Sequence, residues 1–389
     1  VIKRFFYDIA KRKNMDISLK FDPEVIIGAN TLSMAGTLTS RHGSKIMVAA
    51  DKTLDAQSIN RLKDILEDSR LEVIIFDGIE DNSSVEMADN IVELARAAHC
   101  DVIIGFGGHK TQIIARMAAM MAPMRISSFE LFDGRVFQNK FLPFISIPTE
   151  GTNAFSFTEY FITADPRNRL IKSIQSPGNL YSAVIIDSNM FKFVSGNNAA
   201  AYAVEGLFAV IEAYCSSKAN FLSDAILERA LTGFAKLIKT GASGINADAF
   251  AQSIFLTSFG SSVSSPGIGA ALSAAINART PIAGALCSAA LFPAVAQRLV
   301  SSRPEKMARL ASLLGAPKAA TVADTANAAP DAIRRSMTAL NVPFSLKEHN
   351  ISLDRLTAAA EAARNLDFVA SSPWVVSEEE VFNILKELF

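Results

Sequence analysis

Along its first half the chain alternates between short apolar runs and amphipathic stretches. The runs are KIMVAAD (45–51), LEVIIFD (71–77), DVIIGFG (101–107), FLPFISIP (141–148) and SAVIID (182–187), rich in Val, Ile, Phe and Met and bounded by Asp, Gly or Pro. Uninterrupted runs of this kind suit strands buried on both faces, and hence a parallel sheet. Between them, SINRLKDILEDS (58–69) puts Ile59, Leu62, Ile65 and Leu66 on one helical face. VEMADNIVELARAAH (85–99) does the same with Met87, Ile91, Leu94 and Ala95. Strand alternating with helix predicts a doubly wound α/β layer. Its functional crevice belongs at the carboxyl ends of the strands, where Asp51, Asp77, Gly107 and Gly108 fall.

The pattern changes near residue 190. From there the chain is Ala- and Leu-rich, as in AAAYAVEGLFAVIEAYCSS, FLSDAILERALTGFAKLIKTG and AGALCSAALFPAVAQRLVSS. Ala and Leu favour helix, and small residues let helices pack closely. The last helix is punctuated by Pro373, by Ser377 as cap and by Glu380 as the partner of a capping box. The expected organisation is an α/β domain over 1–190 and an all-helical domain over 191–389, with a cleft between them.

Composition narrows the function. A chain of 389 residues fits two domains. With half its residues hydrophobic and 20% charged, it is expected to fold and not to be disordered. The net charge of −1 offers no basic excess for a nucleic-acid backbone or an acidic membrane surface. Cys100, Cys215 and Cys287 are scattered and odd in number, which argues against a zinc ribbon or a disulfide framework and for buried thiols in a reducing compartment. Gly, Ser, Pro and charge interrupt even the most apolar stretch, 281–300, so no membrane span is expected. The first residues, VIKRFFYDIAKRK, lack the apolar core and cleavage site of a secretory signal, and a cytoplasmic location is the expectation.

Several residues could carry chemistry. In DVIIGFGGHKTQIIARMAAM (101–120) a buried strand ends in glycines and a helix starts at once. Gly107 and Gly108 permit close backbone approach, the helix N-terminus offers free N–H groups to a phosphate, and Lys110 adds charge. A tight turn needed only for packing reads the same way. His109 sits in that turn, as a ligand contact or as an exposed loop histidine. IPTEGTNAFSFTEYFIT (147–163) places Thr149, Gly151, Thr152 and Asn153 after a strand, which suits pyrophosphate or ribose and equally suits a solvated turn. Asp51 could bind ribose hydroxyls and repel a 2′-phosphate, or be a surface carboxylate at a strand end. Glu205 and Glu212 share a helical face in apolar surroundings, fit for acid–base work, for one buried and partnered carboxylate, or for a solvated face. Between residues 110 and 348 there is no histidine. The helical half thus offers no imidazole to a metal before His349.

The order of these motifs resembles the iron-containing alcohol dehydrogenase superfamily, which also includes glycerol dehydrogenase and dehydroquinate synthase. KIMVAADKTL looks like the family's first sheet strand, GGHKTQIIAR like its glycine-rich cofactor loop, and IPTEGTNAFSFTEYFIT like its IPTTAGTGSE segment. VEGLFAVIEAY strongly resembles the signature helix usually written DALTHAIEAY, and ALCSAALFPAV, RLASLLG and SSPWVVSEEEVFNIL resemble later signatures. The resemblance runs from about Gly28 to the end. It implies a Rossmann-like N-terminal domain with a parallel sheet, an all-α C-terminal domain in a dehydroquinate synthase-like architecture, and a homodimer. It also implies hydride transfer between NAD (or NADP) and a small-molecule alcohol or carbonyl substrate. Asp51, Gly107, Gly108, His109, Lys110, Thr149, Thr152 and Lys172 would meet the cofactor, Lys172 on its nicotinamide side, and the surviving Asp51 leans toward NAD.

The departures concern the metal. The family holds Fe²⁺ or Zn²⁺ through one Asp and three His. On this chain the Asp position falls at Glu205, and the His positions fall at Ala209, Ile276 and Ile282 or Ala283. One carboxylate beside apolar side chains predicts that the family metal is absent. Glu205, Lys172 or His109 would then polarise the reacting oxygen. The alternative is a non-catalytic family member that binds nucleotide or serves as a partner subunit.

Overall fold

The structure is a computed structural model that describes residues 17, 19, 21–80, 84–124, 126–134, 140–151, 154–193, 196–241, 246–349 and 351–388. Its strands are β1 (Glu24–Gly28), β2 (Lys45–Asp51), β3 (Glu72–Ile79), β4 (Val102–Gly107), β5 (Phe144–Pro148), β6 (Tyr160–Ala164), β7 (Ile171–Gln175) and β8 (Tyr181–Asp187). Six of them form a parallel sheet in the order β1-β8-β5-β4-β2-β3, and β6 and β7 form a separate antiparallel hairpin. Helices α1 (Ala35–Thr39), α2 (Ala56–Asp68), α3 (Met87–Ala97), α4 (His109–Met121) and α5 (Ser128–Phe132) belong to this half. A helical half follows: α6 (Gly196–Cys215), α7 (Phe221–Thr240), α8 (Ala247–Val263), α9 (Ile268–Asn277), α10 (Gly284–Ser302), α11 (Pro304–Leu313), α12 (Val322–Asn327), α13 (Ala329–Ala339), α14 (Leu353–Arg364) and α15 (Glu378–Lys386).

The five apolar runs all form strands of the parallel sheet, for the expected reason. Ile46, Val48 and Ala50 of β2 pack into one apolar cluster, while Met47 and Ala49 pack into another on the opposite face. In β4, Val102, Ile104 and Phe106 oppose Ile103 in the same way. Both faces are therefore covered, as a period of two requires. One of the two clusters runs on through α4 into α6 and the helical half, so the two halves share a core. The three cysteines are free and buried. Among the described residues only α10 is long and apolar enough to cross a membrane by length and composition, and 72% of its apolar window is buried inside the protein.

Some details differ from the pattern reading. Strand β1 and the β6–β7 hairpin were not legible in the periodicity. Strand β3 continues to Ile79, so Asp77 lies inside an edge strand and not at its end. Leu94 is 44% exposed although its spacing assigns it to the buried face of α3. Ser377 does cap α15 by accepting from the Glu380 N–H, but the Glu380 carboxylate faces Arg298 at 3.6 Å.

The end of the sheet is fixed by a buried carboxylate. Asp187 closes β8 with no exposure; its Oδ1 accepts the N–H groups of Asn30 (3.0 Å) and Asn189 (2.9 Å), and its Oδ2 accepts that of Leu32 (3.0 Å). These bonds tie the chain leaving β1 to the chain leaving β8. Asp187→Ala strands these donors and is expected to lower stability by about 2–4 kcal/mol, read as the shift in urea midpoint at constant slope.

Candidate active site

The site begins at the switch point of the sheet, where β4 lies between β2 and β5. Gly107 ends β4 at φ +153°, and a Cβ there would meet the Asp51 side chain at 2.5 Å. Gly108 is the N-cap of α4 and brings no capping side chain, so the first N–H groups of α4 are left to other partners. Gln112, one turn in, holds the turn together. Its amide donates to the carbonyls of Gly105 (2.9 Å), Gly107 (3.1 Å) and Ile147 (3.3 Å), and its Oε1 accepts from Ser146 Oγ (2.8 Å).

Facing this turn is α6. Between them lies a cavity of about 200 Å³. His109 and Lys110 line it from the turn, Glu150 and Gly151 from the loop after β5, and Tyr202 and Glu205 from α6. The structure thus brings His109, Lys110 and Glu205 together. The His109 side chain borders the cavity but is exposed to solvent; neighbouring protein and the adjacent Lys110 push its imidazole below its ordinary range.

Glu212 is the buried, partnered carboxylate that the α6 pattern allows. It is 5% exposed, and its two oxygens accept the N–H groups of Gly269 (2.7 Å) and Ala270 (2.8 Å). Helix α9 has Gly267 at its N-cap and no capping side chain of its own, so Glu212 supplies the cap from another helix. Burial pushes Glu212 up to about 7, and the two N–H bonds pull the other way.

Other predicted residues lie elsewhere. The Asp51 carboxylate is 3% exposed and is spent within the fold. Its Oδ1 accepts from Thr53 N (2.9 Å) and Thr53 Oγ1 (2.7 Å), and its Oδ2 accepts from Thr111 Oγ1 (3.2 Å). The expected choice of NAD by Asp51 therefore has no open carboxylate to rest on. Lys172 is not among the cavity-lining residues. Its ammonium donates to the Phe132 carbonyl (3.0 Å) and lies 3.6 Å from Asp165, because β7 turns it toward α5. Thr149 is buried and binds the turn through its backbone, donating to the Gly107 carbonyl at 3.2 Å. Thr152 lies outside the described residues. Glu150 and Tyr202 were not singled out by the motifs; the only signal was an acidic residue inside the IPTEGTN loop.

The donor set does not fit the family metal. Glu205 is on the cavity, but the α6 residue one turn on is Ala209. Ile276 is buried and does not line the cavity; the face of α9 that does carries Ala270, Ser273, Ala274 and Asn277. That cavity-facing side of α9 carries no imidazole or thiolate either. On the next segment Ala283 lines the cavity, while Ile282 is buried. Both Glu212 oxygens are already used. Among the described residues no group of three or more His, Cys, Asp or Glu is placed to hold an ion.

A parallel-sheet domain followed by a helical domain is the architecture of solved iron-containing alcohol dehydrogenases. The chain belongs to the iron-containing alcohol dehydrogenase family: residues 22–188 match "Iron-containing alcohol dehydrogenase" and residues 199–389 match "Fe-containing alcohol dehydrogenase family, C-terminal". It is 24% identical to 1,3-propanediol dehydrogenase of Citrobacter freundii, over 93% of this chain and 96% of that one. It is also 24% identical to choline dehydrogenase of Bacillus subtilis, over 83% and 82% respectively. The solved structure of a 1,3-propanediol oxidoreductase superposes with a TM-score of 0.88 at 22% identity, covering 96% of this chain and all of that one.

Proposed function

We propose that the chain is an NAD(P)-dependent oxidoreductase acting on a small alcohol or carbonyl compound, and that it works without the family metal. The observation that carries this is a cavity lined both by His109 and Lys110 at the start of α4 and by Glu205 of α6. A bound nicotinamide supplies or accepts the hydride. The chain's own residues hold and orient. The turn and Lys110 receive the anionic part of the cofactor. Glu205 takes or returns the alcohol proton, and His109 hydrogen-bonds the reacting oxygen. The methyl groups of Ala209, Ala274 and Ala283 make part of the pocket wall apolar, beside Ser273, Asn277 and Ser288. A cytoplasmic homodimer goes with this reading.

The test is titration of the purified protein with NADH and NADPH by fluorescence or calorimetry, with metal analysis of the same sample. We expect saturable binding, metal far below one equivalent, no turnover of ethanol or propanol, and no effect of a chelator on any turnover found. Near-stoichiometric metal or chelator-sensitive turnover of short alcohols would sink the metal-free reading. The same missing imidazoles favour a second reading, a non-catalytic nucleotide-binding or partner subunit. Binding without turnover across an alcohol and aldehyde screen would select it.

A further inference from the structure

We propose that Glu150 occupies the anion position of the β4–α4 turn, as a latch between the two domains that a nucleotide must displace. The proposal rests on the dinucleotide reading above and names the residue that sets affinity there. Four observations lead to it. First, Pro148 ends β5 in register with Gly107, which puts Glu150 beside the turn. Second, a Cβ on Gly108 would overlap the Glu150 carboxylate and come within 2.7 Å of its Cγ. The acid therefore lies against the turn, and a side chain at 108 would have to displace it. Third, Glu150 Oε2 accepts a hydrogen bond from Tyr202 Oη at 2.9 Å, which links the loop of the sheet domain to α6 of the helical domain. Fourth, Gly151 turns the chain at φ +61°, where a Cβ would lie 3.3 Å from the Tyr202 ring, so the loop is seated tightly against α6.

The electrostatics give this position its meaning. Gly108 offers no capping side chain, so the N-terminus of α4 attracts negative charge, and Lys110 adds to the attraction. A carboxylate already held there takes the place of an incoming phosphate. A phosphate and the acid cannot share one position without repulsion. Cofactor binding then requires Glu150 to swing away and break its bond to Tyr202, so entry of the nucleotide and release of an interdomain contact are one event.

The experiment is NADH titration of wild type, Glu150→Ala and Glu150→Gln, each checked by circular dichroism and melting temperature. Glu150→Gln keeps the shape and a hydrogen-bond acceptor for Tyr202 while removing the charge, so it serves if the alanine variant folds poorly. The expected result is tighter NADH binding on removal of the acid, on the order of tenfold for Glu150→Ala, with Glu150→Gln between it and wild type. A folded variant that binds NADH as wild type does, or more weakly, overturns the latch and leaves the dinucleotide reading standing. No saturable binding by any of the three overturns the dinucleotide reading and the latch with it.

Discussion

Replacing Arg116 with Met is expected to cost about 3 kcal/mol of stability and to loosen the loop that borders the active-site cavity. The guanidinium is buried on α4, and among the described residues no carboxylate pairs with it. It is held instead by oxygens and rings. It donates to the carbonyls of Phe155 (3.1 Å) and Thr158 (2.7 Å) and to the Ser176 hydroxyl, and lies over the rings of Phe161 (4.9 Å) and Tyr181 (5.1 Å). These partners come from the loop after β5, from the β6–β7 hairpin and from β8. One side chain thus pins three pieces of chain to α4. Methionine fills much of the volume but donates nothing, which leaves the Thr158 carbonyl and the Ser176 hydroxyl short of a donor in a dry environment. Lysine supplies charge without the planar fork and is expected to recover only part of the loss. Phe155 lines the cavity, so NADH affinity is expected to fall together with stability. The measurement is urea denaturation with NADH titration of the same variant; a midpoint within experimental error of wild type would contradict this role.

The second large effect belongs to Glu212. Glu212→Ala leaves two N–H groups of α9 without acceptors and opens a cavity against Phe208, whose ring packs on Gly269. The expected loss is about 3 kcal/mol. The pH dependence has a definite sign. Burial raises this carboxyl from its unfolded value of 4.5 to about 7, so between those values the folded state holds a proton that the unfolded state has released. Stability contributed by this group therefore falls as pH rises from about 4.5 to about 7, and the cost is fully present above that range. Glu212→Gln cannot titrate. Its melting temperature is expected to lie nearest to that of wild type near pH 8 and furthest below it near pH 5. Parallel curves across pH 4.5–8 would show that the charge is already compensated in the fold.

Most of the fold could be read from the sequence because its causes are local. Parallel strands buried on both faces need apolar residues at every position, and five runs of that kind were present. The start of α4 was readable because two glycines followed a strand and a helical pattern began without a gap. The β6–β7 hairpin was not readable. Its strands are short and polar at Thr163, Lys172 and Ser173, and they are held by packing against α4 and the cavity rather than by a periodic pattern. Lys172 was misplaced for the same reason, since nothing in its neighbourhood of sequence told which way β7 would point it.

The class of fold, the glycine turn, the carboxylate of α6 that faces it and the lack of imidazole in most of the helical half could be read along the chain. These follow from residue types and from spacings within one element. How the carboxylates are used depends on packing between elements. Asp51 is consumed by Thr53 and Thr111, Glu212 by the N-terminus of α9, and Glu150 by Tyr202, beside the Gly108 turn. Glu150 and Tyr202 are 52 residues apart on different domains. A carboxylate's role depends on which N–H, hydroxyl or positive charge lies within about 3 Å of it, and that distance is set by packing between elements far apart in the chain.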